Sequence, residues 1–89
     1  MEKSLYTSEY KLFLTMLRAA RQDGGLTQED VASRLRATQS FVSKCERGER
    51  RIDVVELREW CQAIGISLEK FVAGFDHAEA PPVLVPKAF

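Results

Sequence analysis

Leu26-Thr-Gln-Glu-Asp-Val-Ala-Ser-Arg-Leu-Arg-Ala-Thr-Gln-Ser-Phe-Val-Ser-Lys-Cys-Glu-Arg-Gly48 is the stretch whose reading decides the fold. It divides into two short helices with a tight turn between them, because each half carries its own start signal. Thr27-Gln-Glu-Asp30 is a capping box in its acidic form. The N-cap hydroxyl takes the N3 amide, and the N3 carboxylate reaches back to the N-cap amide. Thr38 is a second residue of N-cap type. Val31, Ala32 and Leu35 face inward on the first helix, and Ala32 suits a close crossing of two helices as well as being a good helix former. On the second helix, counting 100° per residue from Gln39, Ser43 falls at about 40°, Arg47 at about 80°, Ser40 at about 100° and Lys44 at about 140°. Val42 and Cys45 fall at about 300° and 240°, so a polar arc and an apolar arc separate cleanly. Phe41 sits on the seam at about 200°, where packing on the core is the expectation but contact outside the domain is also open. Glu46, at about 340°, lies beside Val42 rather than on the polar arc, so it is expected to be at least partly buried.

Working outward, Tyr10, Phe13, Leu14 and Leu17 follow the spacing of a single buried stripe, which predicts a first helix over about 8–23. Thr7 is its N-cap type, and Gly24-Gly25 its stop. The paired helices are expected over about 27–35 and 38–47. A second capping box, Asp53-Val-Val-Glu56, opens a fourth helix over about 53–64. Its stripe is Val54, Leu57, Cys61 and Ile64, flanked by Trp60 as a core residue. A fifth helix is expected over about 67–74, capped by Ser67 and stopped by Gly74. No strand is predicted. The expectation is an all-α, compact five-helix domain over 1–75, followed by a C-terminal tail over 76–89 that contains three prolines. Pro82-Val-Leu-Val-Pro86 is more apolar than a solvated tail needs, which leaves open a strap onto a partner protein.

Eighty-nine residues suffice for one domain. The two cysteines, Cys45 and Cys61, fall on apolar helix faces and read as buried free thiols; with His77 as the one histidine, no metal cluster is expected. No cofactor is expected, and no nucleophile has a nearby base that would make the chain an enzyme. No apolar run approaches the roughly 18 residues of a membrane span, and a cytoplasmic protein is expected. Net charge is zero, yet the chain is polarised. Arg18 to Arg51 carries eight basic against five acidic residues, and Asp53 to Glu79 two against six. The positive part is centred on the second helix of the opening stretch.

Two short helices with such a polar face have the layout of a helix-turn-helix, whose second helix lies in the DNA major groove. From Gln28 to Gly48 the chain closely resembles the Cro/repressor-type (XRE) family of bacterial and phage regulators. Leu26-Thr-Gln28, Gln39-Ser-Phe-Val-Ser-Lys44 and Glu46-Arg-Gly-Glu-Arg-Arg51 carry the likeness, which extends over roughly residues 10–73. The resemblance implies a lambda-repressor-like fold and a homodimer on an inverted-repeat operator of double-stranded DNA. It implies base reading by Gln39, Ser40 and Lys44, with Ser43 between them. It implies phosphate contacts from Gln28, Thr38, Arg47, Arg50 and Arg51. It also implies an ion pair between Arg21 and Glu46. Two residues depart from the family pattern. Arg36 stands where a turn glycine is usual, and a positive φ there would store about 1 kcal/mol. Cys45 stands where a larger apolar residue is more common.

The expected function is therefore a sequence-specific transcriptional regulator, most simply a repressor. The alternative is a protein-interaction module or antitoxin, mildly favoured by the zero net charge. Dimerisation is least legible: Phe71, Phe75 and Leu84 are the candidates, in the fifth helix or the tail, with Phe71 equally able to be core.

Overall fold

The computed structural model describes residues 7–78, and these form five helices with no strand among them. They are α1 Ser8–Asp23, α2 Gln28–Leu35, α3 Gln39–Glu46, α4 Val54–Ile64 and α5 Leu68–His77. Each N-terminus starts where its cap residue dictates. The side chains of Thr7, Thr27, Thr38, Asp53 and Ser67 all accept from the amide three residues on. Both expected capping boxes close in both directions. At the C-termini, Gly65 takes the left-handed conformation after α4, at φ 90°.

α2 packs on α3 and α4, α1 on α3 and α5, and α4 on α5. Leu17, Val31, Val42, Cys45, Trp60 and Cys61 are fully buried where these helices meet. Each large apolar side chain buried this way contributes roughly 1.5–3 kcal/mol. Both thiols are free and buried, and burial pushes each above its ordinary pKa. Ala32 is buried on α2, the helix that meets both α3 and α4. Two polar ties cross the core margin: Arg34 donates to the Ala63 carbonyl in the last turn of α4 at 2.8 Å, and the Ile52 amide donates to the Tyr10 hydroxyl at 3.2 Å. The Trp60 indole N–H is buried without an acceptor among the described residues.

Three expectations need correcting. α5 continues through Gly74 to His77, so Asp76 and His77 belong to the helix rather than to the tail. The apolar stripe Phe71 and Phe75 continues past the glycine and packs on Phe13 of α1, with ring centroids at 5.9 and 6.1 Å. That packing outweighs the helix-breaking tendency of one glycine, worth about 1 kcal/mol. Val54 is 68% exposed and not part of the α4 stripe, because it sits in the first turn, ahead of the level at which α4 meets the core. Phe71 is a core residue, edge-on to Phe13, and is withdrawn as a dimer contact. Phe75 is half-buried against the same ring, and Leu84 lies outside the described residues.

Candidate nucleic-acid interface

The turn between α2 and α3 fixes how the two helices meet. Arg36 takes φ 59° and ψ 41°, the left-handed conformation. Its amide bonds the Ser33 carbonyl at 3.2 Å, and the Ala37 amide bonds the Ala32 carbonyl at 2.8 Å. The last carbonyls of α2 are thereby satisfied as in a Schellman turn. Arg36 does this in place of glycine, at a cost of about 1 kcal/mol.

Behind α3 lies a carboxylate. Glu46 is 3% exposed, and Arg21 from α1 grips it with two hydrogen bonds, Nε to Oε2 at 2.6 Å and Nη2 to Oε1 at 3.0 Å. Arg21 Nη1 also donates to the Leu26 carbonyl at 2.9 Å, which ties the loop before α2 to the same group. Gln28 Nε2 donates to Glu46 Oε1 at 2.9 Å, and Gln39 Nε2 donates to Gln28 Oε1 at 2.6 Å. The polarity of this chain follows from chemistry. A carboxylate only accepts, so the Gln28 NH2 must face it, and the Gln28 carbonyl is left to accept from Gln39. Burial raises the Glu46 pKa. The hydrogen bonds from Arg21 and Gln28 and the charges of Arg21 and Arg18 outweigh that effect, leaving it below the ordinary carboxylate range.

In front of that chain, Gln39, Ser40 and Lys44 are exposed along one side of α3, and Ser43 is half-buried between them. Phe41 turns inward and packs on Trp60, with ring centroids 6.0 Å apart, which resolves the seam in favour of core packing. The arginines at the end of α3 are positioned by carboxylates that the sequence reading did not connect to them. Arg47 donates to the Ser43 hydroxyl and, at 2.9 and 3.2 Å, to Glu49. Arg50 forms a two-pronged pair with Glu56 at 2.8 and 3.0 Å, while its guanidinium lies 5.0 Å from the Phe41 ring centroid. Arg51 lies 4.5 Å from the Tyr10 ring centroid. The hydrogen bonds from Arg47 and Arg50 hold Glu49 and Glu56 below the usual carboxylate range. Thr38 spends its hydroxyl as the α3 cap, accepting from the Phe41 amide at 3.0 Å.

This arrangement can present amide, hydroxyl and ammonium groups to the edges of bases, flanked by cations for phosphates. Among the described residues no acidic, histidine or cysteine cluster could hold a metal, and no helix is long and apolar enough to cross a membrane. The chain matches the helix-turn-helix family HTH_3 over residues 17–71, from the middle of α1 into α5. The chain belongs to the XRE-type helix-turn-helix family. A relative from Sinorhizobium fredii (strain NBRC 101917 / NGR234), the uncharacterized HTH-type transcriptional regulator y4dJ, is 41% identical over 57 residues, 64% of this chain and 74% of that one. Among solved structures, an XRE-family like protein from Pseudomonas syringae pv. tomato str. DC3000 is 40% identical with a TM-score of 0.74, over 76% of this chain and 83% of that one. The clp gene regulator ClgR from C. glutamicum is 25% identical with a TM-score of 0.67, over 84% and 92%. A mutant of the restriction-modification controller protein C.Esp1396I shares the fold at 20% identity, with a TM-score of 0.73 over 79% and 93%.

As a member of a family of DNA-binding transcriptional regulators, the chain puts its sequence-predicted residues in two groups. Gln28, Gln39, Ser40, Ser43 and Lys44 converge along α3 and the start of α2, with Arg21 and Glu46 directly behind. Arg47, Arg50 and Arg51 lie together beyond α3, but the first two are already engaged by Glu49 and Glu56. The Glu46 contact of Gln28 was not anticipated, because a glutamine at a helix start shows no sign of a partner 18 residues away. Glu56 as the partner of Arg50 was equally unforeseen, since Glu56 already serves the capping box by accepting from the Asp53 amide at 3.0 Å.

Proposed function

We propose that this XRE-type regulator is a repressor that binds double-stranded DNA as a homodimer on an inverted-repeat operator, with α3 of each copy in the major groove. The observation that carries the reading is the chain Arg21–Glu46–Gln28–Gln39. It fixes the amide of Gln39 with one N–H turned toward Gln28. The Gln39 carbonyl and its second N–H remain, and that is the acceptor-donor pair an adenine edge requires at N6 and N7. Lys44, one turn further along the same side, suits the acceptors of guanine. Ser40 and Ser43 offer hydroxyls to either base type. Gln28 retains one amide N–H at the N-terminus of α2, where the helix itself favours a phosphate. The Thr38 hydroxyl can donate to a second phosphate while it caps α3, and Arg47, Arg50 and Arg51 flank the same groove.

Selection from a random double-stranded pool tests this reading. The expected product is an inverted repeat with half-site centres about 34 Å apart and an adenine required in each half-site. Replacing Gln39 with alanine should abolish that adenine preference while leaving non-specific affinity in place. Failure to enrich any sequence, with binding insensitive to salt, would support the second reading, a protein-interaction module or antitoxin. The neutralised arginine pairs Arg47–Glu49 and Arg50–Glu56 are the observation in its favour.

A further inference from the structure

Where α1 borders the end of α3 there is a cleft of about 510 Å³, lined by Lys11, Leu14, Thr15, Arg18, Glu46 and Arg47. Its wall on α1 is built by sequence spacing. Lys11, Thr15 and Arg18 stand at i, i+4 and i+7 and therefore share one helix face. Leu14, between them, is buried, and its Cδ1 lies where a Cβ on Gly48 would meet it at 3.2 Å. Lys11 and Thr15 are exposed, and the Arg18 side chain is 49% exposed with its Nε 3.6 Å from Glu46 Oε1. The opposite wall is the end of α3, where Arg47 is also 49% exposed. The one carboxylate lining the cleft, Glu46, already has its charge matched by the two-pronged grip of Arg21. Lys11 and Arg18 thus bring positive charge to a concave site that also offers the Thr15 hydroxyl, while Arg47 on its far wall is paired with Glu49.

We propose that this cleft is a phosphate site, and that a backbone phosphate of the DNA strand passing the C-terminal end of α3 is held there by Lys11, Thr15 and Arg18. The inference rests on the DNA-binding reading and adds to it a second, α1-borne contact near that of Gln28, since Arg18 and Gln28 both approach Glu46 Oε1. Such a contact explains why α1 carries a stripe of cations and a hydroxyl on the one face that borders α3. It carries no base information. It helps to set how deeply and at what angle the reading helix sits, because phosphate contacts fix the register and orientation of a protein on the duplex. Two sources could supply the same chemistry: a phosphodiester of bound DNA, or a free phosphate or nucleotide.

The test is the salt dependence of DNA binding by the full chain and its Lys11→Ala, Lys11→Arg and Lys70→Ala variants, on selected and on random duplexes. Lys11→Ala should make the log–log slope shallower by about 1 per half-site, equally on both DNAs. Lys11→Arg should restore it, and Lys70→Ala, a charge removed from α5 outside the cleft, should leave it unchanged. An unchanged slope for Lys11→Ala, with the wild type still steeply salt-dependent, overturns this inference and leaves the DNA reading intact. Equal effects from Lys11→Ala and Lys70→Ala overturn it in favour of bulk charge. A wild type with no salt dependence overturns both. In a parallel titration with inorganic phosphate, followed by the amide resonances of Lys11, Thr15 and Arg18, saturation below millimolar concentration without any Lys11→Ala effect on DNA assigns the cleft to a free anion. That result too overturns the proposal.

Discussion

Protonating Glu46 would leave Arg21 buried beside a neutral acid, so this carboxyl makes the stability of the domain depend on pH. Its folded-state pKa lies below the ordinary value of 4.5. The unfolded chain therefore takes up the proton first as the solution is acidified. The stabilisation is complete above the unfolded value and is lost as pH falls through the lower, folded one. Glu46→Gln should flatten the acid side of a plot of melting temperature against pH while lowering its neutral plateau. Glu46→Ala at pH 7 strands the Arg21 guanidinium and should cost about 3 kcal/mol, a drop on the order of 10 °C in melting temperature. An unchanged melting curve would refute the structural role. Arg36 offers the opposite sign. Its left-handed φ of 59° is where glycine is unstrained, so Arg36→Gly should stabilise by about 1 kcal/mol. Urea unfolding should show a higher midpoint at constant slope, whereas a lower midpoint would mean that the arginine side chain is worth more than its backbone strain. The Glu46 pair was legible in the sequence, from its place on the wheel and the family resemblance. The strain at Arg36 was legible only as a conditional, since no sequence rule states which residue of a turn takes the positive φ.

Helices are where local chemistry speaks most clearly. The five N-termini sit at their cap residues because each cap is a contact between neighbours in sequence, and such contacts can be read without knowing the fold. The ends that were missed depend on tertiary packing. Gly74 has the local signature of a stop, yet Phe71 and Phe75 on either side of it dock on Phe13 and carry α5 on to His77. Val54 fits the α4 periodicity, but its turn projects beyond the core. The same separation applies at the site. The polar arc of α3 followed from helical spacing, whereas the partners of Gln28, Arg47 and Arg50 follow from how α3 and α4 are placed. If Gly74 is an ordinary helical residue, then an added methyl costs nothing in space. A Cβ there would meet Met16 Cε at 3.6 Å, normal van der Waals contact. Gly74→Ala should then raise stability by about 0.5–1 kcal/mol through reduced backbone entropy of the unfolded chain. Calorimetry on the two proteins decides it, and a destabilised variant would show that α5 and α1 need the closer approach.

At the scale of the whole molecule, a formal charge of zero has to be reconciled with a DNA partner. The reconciliation is spatial. From Asp53 to Glu79 acidic residues outnumber basic ones six to two, while from Arg18 to Arg51, through α2, α3 and the loops after them, basic residues outnumber acidic ones eight to five. The balance is also local, because Glu49 and Glu56 each occupy an arginine beside α3. These pairs are exposed, and pairs of that kind contribute at most about 1 kcal/mol to folding, so their presence is not explained by stability. Their effect on a polyanion is larger. A phosphate approaching Arg47 must compete with the Glu49 carboxylate for the same N–H groups and is repelled by its charge. Part of the counterion-release gain is thereby cancelled, and non-specific DNA is penalised as much as operator. It follows that Glu49→Gln should tighten binding to random duplex and operator alike, make the salt dependence of both steeper, and leave the ratio between them unchanged, with the melting temperature almost unchanged. Titrations of both duplexes at several salt concentrations would show this directly. Equal affinities for wild type and Glu49→Gln would mean that Arg47 does not meet the DNA backbone, and that its pairing with Glu49 persists in the complex.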